Sequence, residues 1–341
     1  MRKILKIVNA YVGIAIMCLA VCGCQSNKKT DTKEMSLQTA NSIQQLGIKS
    51  KILNSEEIFP AGNSYSDWIA MTLAFAGVED AYDDYLNRLK EYVVYKYETE
   101  GHLHRIKATE YHRITLTMLA LGGDPSKIEN NGKEINLIAD GTYQFHAGSP
   151  GLQGSNGLIY ALLTLDSMDY QVPAQFSFDR ESIITELLEY QQQDGGFALD
   201  ESIGGSIDIT AMALQALAPY REIEKVSISI EKALLWLSEN MTENGTFLYS
   251  GDENAESCAQ VVLALCALGI DPAKSEMFEK SKNVLDGMNS FRLEDGMYQH
   301  VKENEQPDLM ATYQALHALE AVEKLRTESR WIFDFQDYQA P

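Results

Sequence analysis

Two neighbouring stretches decide the fold of this chain: Gln191-Gln192-Gln193-Asp194-Gly195-Gly196-Phe197 and Ile207-Asp208-Ile209-Thr210-Ala211-Met212-Ala213-Leu214-Gln215-Ala216-Leu217. In the first, polar residues lead into Gly195, and glycine supplies the positive φ that commonly ends a helix. The second stretch is Ala-rich and almost wholly apolar, which is typical of a helix buried on all sides. Together they predict a unit of helix, turn and buried helix.

The turn recurs along the chain at intervals of about 50 residues, a length that fits a repeated pair of helices. Its pattern places a glycine four residues after a starting position and an aromatic residue two places later. It fits at Leu137/Gly141/Tyr143, Gln191/Gly195/Phe197, Met241/Gly245/Phe247 and Arg292/Gly296/Tyr298, with a weaker copy at Tyr97/Gly101/Leu103. We expect positive φ at each of these glycines.

Six apolar segments each begin with a polar or acidic residue: Asp67, Glu110, Asn156, Asp208, Glu256 and Asp308. Amphipathic stretches at 80–98, 179–192, 227–240 and 277–290, and a less regular one near 132–138, lie between them. Apolar helices are buried and amphipathic helices cover them. The sequence therefore predicts an all-α fold, an α/α toroid with about six inner and five to six outer helices.

The N-terminus has the features of an export signal: Arg2 and Lys3, an apolar run, and then Val21-Cys22-Gly23-Cys24. We predict a lipoprotein signal peptide at 1–23, lipidation of Cys24, a flexible tether at 24–34 and the toroid domain at 35–341. A plain secretory signal or a membrane anchor is the alternative. The predicted location is the cell membrane, with a lipid-anchored body facing outside the cytoplasm.

The net charge of −21 makes nucleic acid a poor partner for this protein, because like charges repel. Of the five cysteines, only Cys258 and Cys266 lie beyond the export segment. They are eight residues apart on one predicted helix, about 12 Å by helix rise, which is too far for a disulfide. The tail around Trp331 and Phe335 is aromatic and is expected to pack back onto the domain.

From about Ser64 to Glu323 the chain resembles the terpenoid-cyclase and protein-prenyltransferase α/α toroid family, through the glutamine–aromatic motif at Gln191, Gly195 and Phe197. The stretch from Ile207 to Ala213 is also similar to inner-helix starts in the corrinoid carriers intrinsic factor and transcobalamin. Those carriers hold their ligand between the toroid and a β domain. The resemblance thus implies that any such surface comes from a separate protein partner.

The resemblance also allows two catalytic patterns to be compared position by position. Prenyltransferases bind zinc through Asp-x-Cys and a histidine, and here these positions hold Glu256-Ser257-Cys258 and Met310. Squalene-type cyclases use an Asp-x-Asp-Asp run as the acid, where this chain has Ser206-Ile207-Asp208-Ile209. Neither pattern is complete, so we expect no metal, no cofactor, and neither prenyltransferase nor cyclase chemistry.

Candidate ligand-binding residues are those near the beginnings of the inner helices, where a barrel opening would gather them. They are Trp68, Glu110, Tyr111, His112, Arg113, Tyr160, Asp208, Glu256, Asp308 and Tyr313. The acids have an ordinary alternative role as helix caps, since a carboxylate near a helix N-terminus binds free N–H groups. His112 and Arg113 also have an ordinary alternative role, as a pair of core residues whose polar groups are satisfied by their neighbours.

Two functions remain open at this stage. The first is a membrane-anchored binding protein whose central cavity holds a small ligand, corrinoid-like or glycan-like. The second is an extracytoplasmic enzyme, glycan-active or related to cyclases and prenyltransferases, which uses the carboxylates at the barrel opening. The incomplete catalytic patterns favour binding, and the distance between carboxylates that would decide the question cannot be read from sequence.

Overall fold

The fold is built from helices, as a computed structural model covering residues 31–47, 51–200, 202 and 204–341 shows. In these ranges the helices are α1 (Thr32–Gln44), α2 (Ser64–Ala76), α3 (Tyr82–Glu100), α4 (Ala108–Ala120), α5 (Leu137–Gly141), α6 (Ser155–Ser167), α7 (Arg180–Glu189), α8 (Ile207–Leu217), α9 (Glu224–Asn240), α10 (Ala255–Ala267), α11 (Val284–Asn289) and α12 (Leu309–Glu328). Two short antiparallel hairpins lie in the connections, β1 (Ile128–Asn130) with β2 (Lys133–Ile135) and β3 (Leu248–Tyr249) with β4 (Asp252–Glu253).

Six helices close a ring. Each of α2, α4, α6, α8, α10 and α12 packs against the next, and α12 packs against α2. The remaining six form an outer layer: α1 covers α12 and α2, α3 covers α2 and α4, α5 covers α4 and α6, and α7, α9 and α11 cover α6, α8 and α10 in turn. The fold is therefore the predicted α/α toroid.

The repeated turn connects five of the outer helices, α3, α5, α7, α9 and α11, to the inner helix that follows each of them. Gly195 and Gly296 have φ of 107° and 91°, and the next aromatic residues, Phe197 and Tyr298, are fully buried. The backbone N–H of Phe197 donates to Thr210 Oγ1 at 2.8 Å, at the start of the inner helix α8. Tyr298 makes the same bond to the threonine that follows it on α12. These hydrogen bonds therefore hold the turn against the start of the inner helix that follows it.

The copy of the motif at Gly141 is different, and the expectation of positive φ there is wrong. Gly141 is the last residue of the short helix α5, and its φ lies outside the positive range. A Cβ atom at this position would lie 2.6 Å from the Cβ of Tyr111. Glycine is needed here because two helices approach closely, not because the backbone turns.

Some helix boundaries differ from those expected. The first helix begins at Thr32, so residues 32–34 of the predicted tether are helical, and Thr32 and Ser36 are buried. The stretch 277–290 forms only a short helix, α11, because the Asn283 side chain accepts from the N–H of Asp286 and fixes a late start. The stretch near 132–138 is mostly the β1–β2 hairpin.

The C-terminal tail packs across one end of the barrel, as its aromatic composition predicts. Phe333 and Phe335 are buried, and both rings lie against Phe75 near the end of α2, at 6.5 and 5.9 Å between centroids. The N–H of Phe335 donates to the carbonyl oxygen of Ser167, the last residue of α6, at 2.9 Å. The tail therefore covers the end where the inner helices finish, and the opposite end is the one available for entry.

The predicted signal at 1–23 and its lipidation residue Cys24 lie outside the described residues, as does most of the tether. Among the helices that are described, none is both long and apolar enough to cross a membrane.

Candidate functional site

Aromatic side chains from three inner helices meet inside the barrel. The ring of Trp68 on α2 lies 6.1 Å from that of Tyr160 on α6 and 6.2 Å from the imidazole of His317 on α12, measured between centroids. One helical turn before His317, Tyr313 meets Tyr65 edge to face at 6.2 Å. Trp68 and Tyr160 are only partly buried, so apolar surface remains accessible here. The structure thus brings together Trp68, Tyr160 and Tyr313 of the predicted site.

A chain of amides, which the sequence reasoning missed, joins three inner helices. Gln215 on α8 donates to Gln260 on α10 at 3.1 Å, and Gln260 donates to Gln314 on α12 at 3.0 Å. Nearby, the Tyr160 hydroxyl contacts Met212 Sδ at 3.7 Å. The available signal was a glutamine within each of three helices otherwise dominated by Ala and Leu. The chain therefore ties α8, α10 and α12 together inside the barrel.

Arg113 joins the first two inner helices through a buried charge cluster. Its guanidinium donates to Asp67 Oδ2 at 2.9 Å and to the carbonyl of Gly62 at 2.9 Å, and it pairs with Glu110 at 2.8 Å. Asp67, which has no exposed surface, also accepts from Tyr85 and from the N–H of Gly62. One guanidinium therefore serves two carboxylates, and Arg113 offers no free positive charge to a ligand on this side.

Tyr111 and His112 face the outer layer and not the barrel interior, which corrects their predicted place in the cavity wall. The Tyr111 hydroxyl accepts from the N–H groups of Leu103 and His104 at 3.0 and 3.3 Å. His112 Nε2–H donates to the Gly141 carbonyl at 2.7 Å, and burial lowers the pKa of His112 to about 4. On a helix, residues next to Glu110 and Arg113 point about 100° away from them. Both side chains tie α4 to neighbouring segments.

Asp308 has the ordinary capping role. It is the N-cap of α12, and its Oδ1 accepts from the N–H of Ala311 at 2.8 Å. Glu256 is different, because the cap of α10 is Asn254, which accepts from the N–H of Ser257 at 2.8 Å. The Glu256 carboxylate is therefore available for another purpose.

Asp208 on α8 is not a cap either. The N-cap of α8 is Ser206, and Asp208 lies two positions into the helix. Its Oδ1 is buried and has no hydrogen-bond partner in the described structure. Burial raises the pKa of the Asp208 carboxyl, against a smaller opposing effect of the Ser257 hydroxyl. An unsatisfied buried carboxyl is costly for stability, which is a common property of functional groups.

Glu256 has a histidine partner that the sequence reasoning did not identify. His300 Nδ1 lies 2.9 Å from both carboxylate oxygens of Glu256. Glu256 is 6% exposed, and its burial raises the pKa of the carboxyl while His300 opposes that shift. The His300 side chain keeps 41% of its surface exposed. His300 follows the turn at Gly296, and packing between neighbouring helix pairs brings that turn beside α10, where the N–H of Ala255 donates to the His300 carbonyl at 3.1 Å.

A cleft of about 190 Å³ lies at the same opening, between the beginnings of α4 and α6. Its lining includes Lys107, Glu110, Gln153, Asn156 and Leu199. The Oδ1 atom of Asn156 is buried and has no hydrogen-bond partner within the described residues. Asn156 lies one turn before Tyr160 on α6, so this cleft and the aromatic wall are joined along one helix face.

The residues at the positions compared with the prenyltransferase zinc ligands are otherwise engaged. Cys258 is fully buried, its Sγ donates to the Asn254 carbonyl at 3.2 Å, and burial raises the pKa of the thiol to about 12. Glu256 binds His300 instead. Within the described ranges, no three His, Cys, Asp or Glu side chains are grouped so as to hold a metal ion.

Sequence comparison gives one family. The sequence model of the prenyltransferase alpha-alpha toroid domain matches residues 153–339, which is more than half of the chain. No curated protein matches the chain by sequence.

Solved structures of two kinds share the fold. Protein geranylgeranyltransferase-I of Candida albicans, complexed with GGPP, has a TM-score of 0.55 at 14% identity and covers 89% of this chain and 99% of its own. The unsaturated glucuronyl hydrolase of Bacillus sp. GL1, responsible for the degradation of glycosaminoglycan, has a TM-score of 0.53 at 10% identity and covers 89% and 98%. The corresponding hydrolase of Streptococcus agalactiae has 0.51 at 7% identity and covers 95% and 100%. At such identities the likeness concerns the fold.

Proposed function

The chain belongs to the prenyltransferase alpha-alpha toroid domain family, and from this premise we propose that it binds a glycan-type ligand in its barrel. The ligand enters at the end where the inner helices begin. It packs a sugar face on the aromatic wall of Trp68, Tyr160 and Tyr313 and places its hydroxyls against Asp208 and Glu256.

One observation carries the proposal: buried polar atoms without partners lie beside accessible aromatic surface. Asp208 Oδ1 and Asn156 Oδ1 are buried and unpaired in the described structure. Buried polar groups are ordinarily hydrogen bonded, so unpaired ones indicate a missing partner. Sugar rings offer apolar C–H faces together with hydroxyl donors, which match an aromatic wall and carboxylate or amide acceptors.

The same features disfavour an isoprenoid diphosphate. Asp208 and Glu256 would repel a diphosphate, since both lie at the opening and carry negative charge when ionised. Arg113 is the buried cation on the other side, and it is already held by Asp67 and Glu110. A corrinoid remains the alternative binding ligand, and we include it in the test below.

The direct test is binding of the purified body (residues 31–341) to an array of neutral and acidic oligosaccharides. Farnesyl diphosphate and cobalamin are measured in parallel by calorimetry. We expect binding to glycans, with Asp208→Asn weakening it about 10-fold or more through loss of hydrogen bonds to a charged acceptor. Binding of farnesyl diphosphate or cobalamin without any glycan binding would contradict the proposal.

A second candidate function is glycoside hydrolysis at the same site, favoured by the pair Glu256–His300 beside Asp208. Burial raises the pKa values of both Glu256 and Asp208, as a general acid requires. In this mechanism Glu256 protonates the leaving glycosidic oxygen as its bond to the anomeric carbon breaks. Water adds to that carbon, and its proton passes to Asp208.

Methylumbelliferyl glycosides of the sugars bound on the array test this second candidate. If it holds, Glu256→Gln lowers the rate of release by about 100-fold or more while the glycoside still binds. A wild-type protein that binds these glycosides and releases nothing is a binding protein only.

We also propose that the body is held at the outside of the cell membrane by a lipid on Cys24, as the sequence of the export segment indicates. Palmitate labelling of cells that express the full chain compares wild type with Cys24→Ala. Label is expected on the wild type only, and equal labelling of both would argue against a lipid anchor at Cys24.

A further inference from the structure

His317 lies deep in the barrel and has no assigned role. It is 5% exposed, and its Nε2 atom has no hydrogen-bond partner within the described residues. Its imidazole stacks on Phe75 at 5.6 Å, meets Phe333 edge to face at 5.1 Å and lies 6.2 Å from Trp68. Burying an unsatisfied imidazole nitrogen costs free energy, and a phenylalanine would fill this aromatic setting without that cost.

The tail closes the barrel beside His317. Phe333 and Phe335 pack on Phe75 of α2, and the Phe335 N–H is bonded to the end of α6. Tyr338 also packs on Phe75 and receives Lys324 of α12 over its ring at 5.3 Å. The tail therefore spans several inner helices on the side away from the proposed entry.

Phe75 and Trp68, whose rings lie beside His317, are only partly buried. Burial also lowers the pKa of His317 to about 3, which leaves the imidazole neutral at ordinary pH. A neutral imidazole has one nitrogen that donates and one that accepts, and it suits a hydroxyl group.

We infer that the tail segment 331–338 is the floor of the binding cavity and that His317 hydrogen bonds there to a hydroxyl of the bound sugar. This inference rests on the proposed glycan binding and adds the residue that recognises the inner end of the ligand. The expected ligand has an uncharged sugar ring at that end, since the rings around His317 offer no charge to pair with a carboxylate or sulfate.

The experiment applies the same oligosaccharide array to wild type, His317→Phe and His317→Gln. His317→Phe should lower affinity about 10-fold or more, because it removes the hydrogen bond and keeps a ring of similar shape. Its melting temperature should be unchanged or higher, since an unpaired polar atom is lost. His317→Gln, which retains a polar group, should lose less affinity.

The floor is tested by Phe333→Leu against the matched control Phe278→Leu. Phe278 is a buried phenylalanine in the connection between α10 and α11. Both changes remove similar volume, but only Phe333→Leu should weaken array binding by several-fold. Equal affinity of these two variants at equal melting temperature would overturn the assignment of the tail as floor.

A direct readout follows His317 in the wild-type protein. In ¹⁵N-histidine-labelled protein, the Nε2 resonance, assigned from its loss in His317→Gln, should shift when the tightest-binding array oligosaccharide is added. Glycan binding with an unmoved resonance and unchanged affinity in His317→Phe would overturn this inference and leave the proposed function standing. Absence of glycan binding by the wild type would instead defeat the proposed function itself.

Discussion

On one side of the barrel opening Arg113 holds Asp67 and Glu110 in a closed set of ion pairs, whereas on the other side Asp208 lies near the Ser257 hydroxyl and Glu256 pairs with His300. Both sides consist of acids in the first turns of inner helices. Where a buried cation is present, the acids contribute to holding the fold together. Where it is absent, they remain available for a ligand at the expense of stability.

Arg113→Ala should show the largest effect in this comparison. It leaves Asp67 buried and without its cation, so the free energy of unfolding should fall by about 3–5 kcal/mol. Urea denaturation of the body measures this change. The control is Arg330→Ala, which removes partly exposed pairs with Asp334 and Asp337 and should cost no more than about 1 kcal/mol. Similar losses in both variants would remove the distinction between a buried clamp and a surface pair.

Asp308→Ala should lower the free energy of unfolding by about 1 kcal/mol, because the cap of α12 is lost. Glycan binding on the array should be unaffected, since Asp308 is already bonded to Ala311. Asp308→Asn, which can still accept that bond, is the control and should retain most of the stability. A large loss of binding in a stable Asp308→Ala protein would show that Asp308 is a ligand-binding residue and not merely a helix cap.

Asp208→Asn should act in the opposite direction and raise stability at pH 7 by about 0.5–1 kcal/mol. Burial raises the folded-state pKa of this carboxyl, so the ionised form weakens the fold above that pKa. As pH falls towards the unfolded pKa the wild-type carboxyl becomes protonated, and the advantage of asparagine should shrink. Unfolding curves at pH 7 and pH 4 measure it. A gain that persists unchanged at pH 4 would mean that charge is not its cause.

His300→Gln should have the smallest effect on stability, within about 0.5 kcal/mol, because the pair has one well-exposed partner. His300 opposes the rise in the pKa of Glu256, so its loss should raise that pKa further. If ionised Glu256 accepts hydrogen bonds from the sugar, the pH at which binding weakens on acidification should move upward. Array binding from pH 4 to 7 reports this midpoint, and an unmoved midpoint would show that His300 does not control Glu256.

The sequence predicted the ring and its order because both follow from local patterns. The glycine turn at Gly195 and the apolar helix that follows it at Asp208 recur, and neighbouring copies of such a helix pair stack on one another to bury a continuous core. Trp68, Tyr160 and Tyr313 were predicted to line the cavity because each lies near an inner-helix start, and the structure places them near one another inside the barrel. The copy at Gly141 shows the limit of predicting structure from this motif. The same motif there marks a close approach of two helices and not a turn with positive φ.

The sequence could not distinguish the acids by role. Asp67, Asp208 and Glu256 all occur early in apolar helices, and Asp308 just before one. Their roles depend on what lies across a helix interface: Arg113 from the next helix, or His300 from a distant turn. Glu256 and His300 are 44 residues apart along the chain, and only the packing of neighbouring helix pairs brings them together. The orientation of Tyr111 and His112 was missed for a related reason, since a helix turns adjacent residues to different faces.

By itself, the sequence determined that this chain forms a toroid of helix pairs, because helix periodicity, glycine turns and apolar helix starts are local and repeat. The tertiary structure alone decided which acids pair with a cation, that three glutamines form one chain along three neighbouring inner helices, and that the tail closes the barrel over His317. Those features arise from contacts between segments far apart along the chain. Their energies depend on burial and distance, which local sequence patterns do not specify.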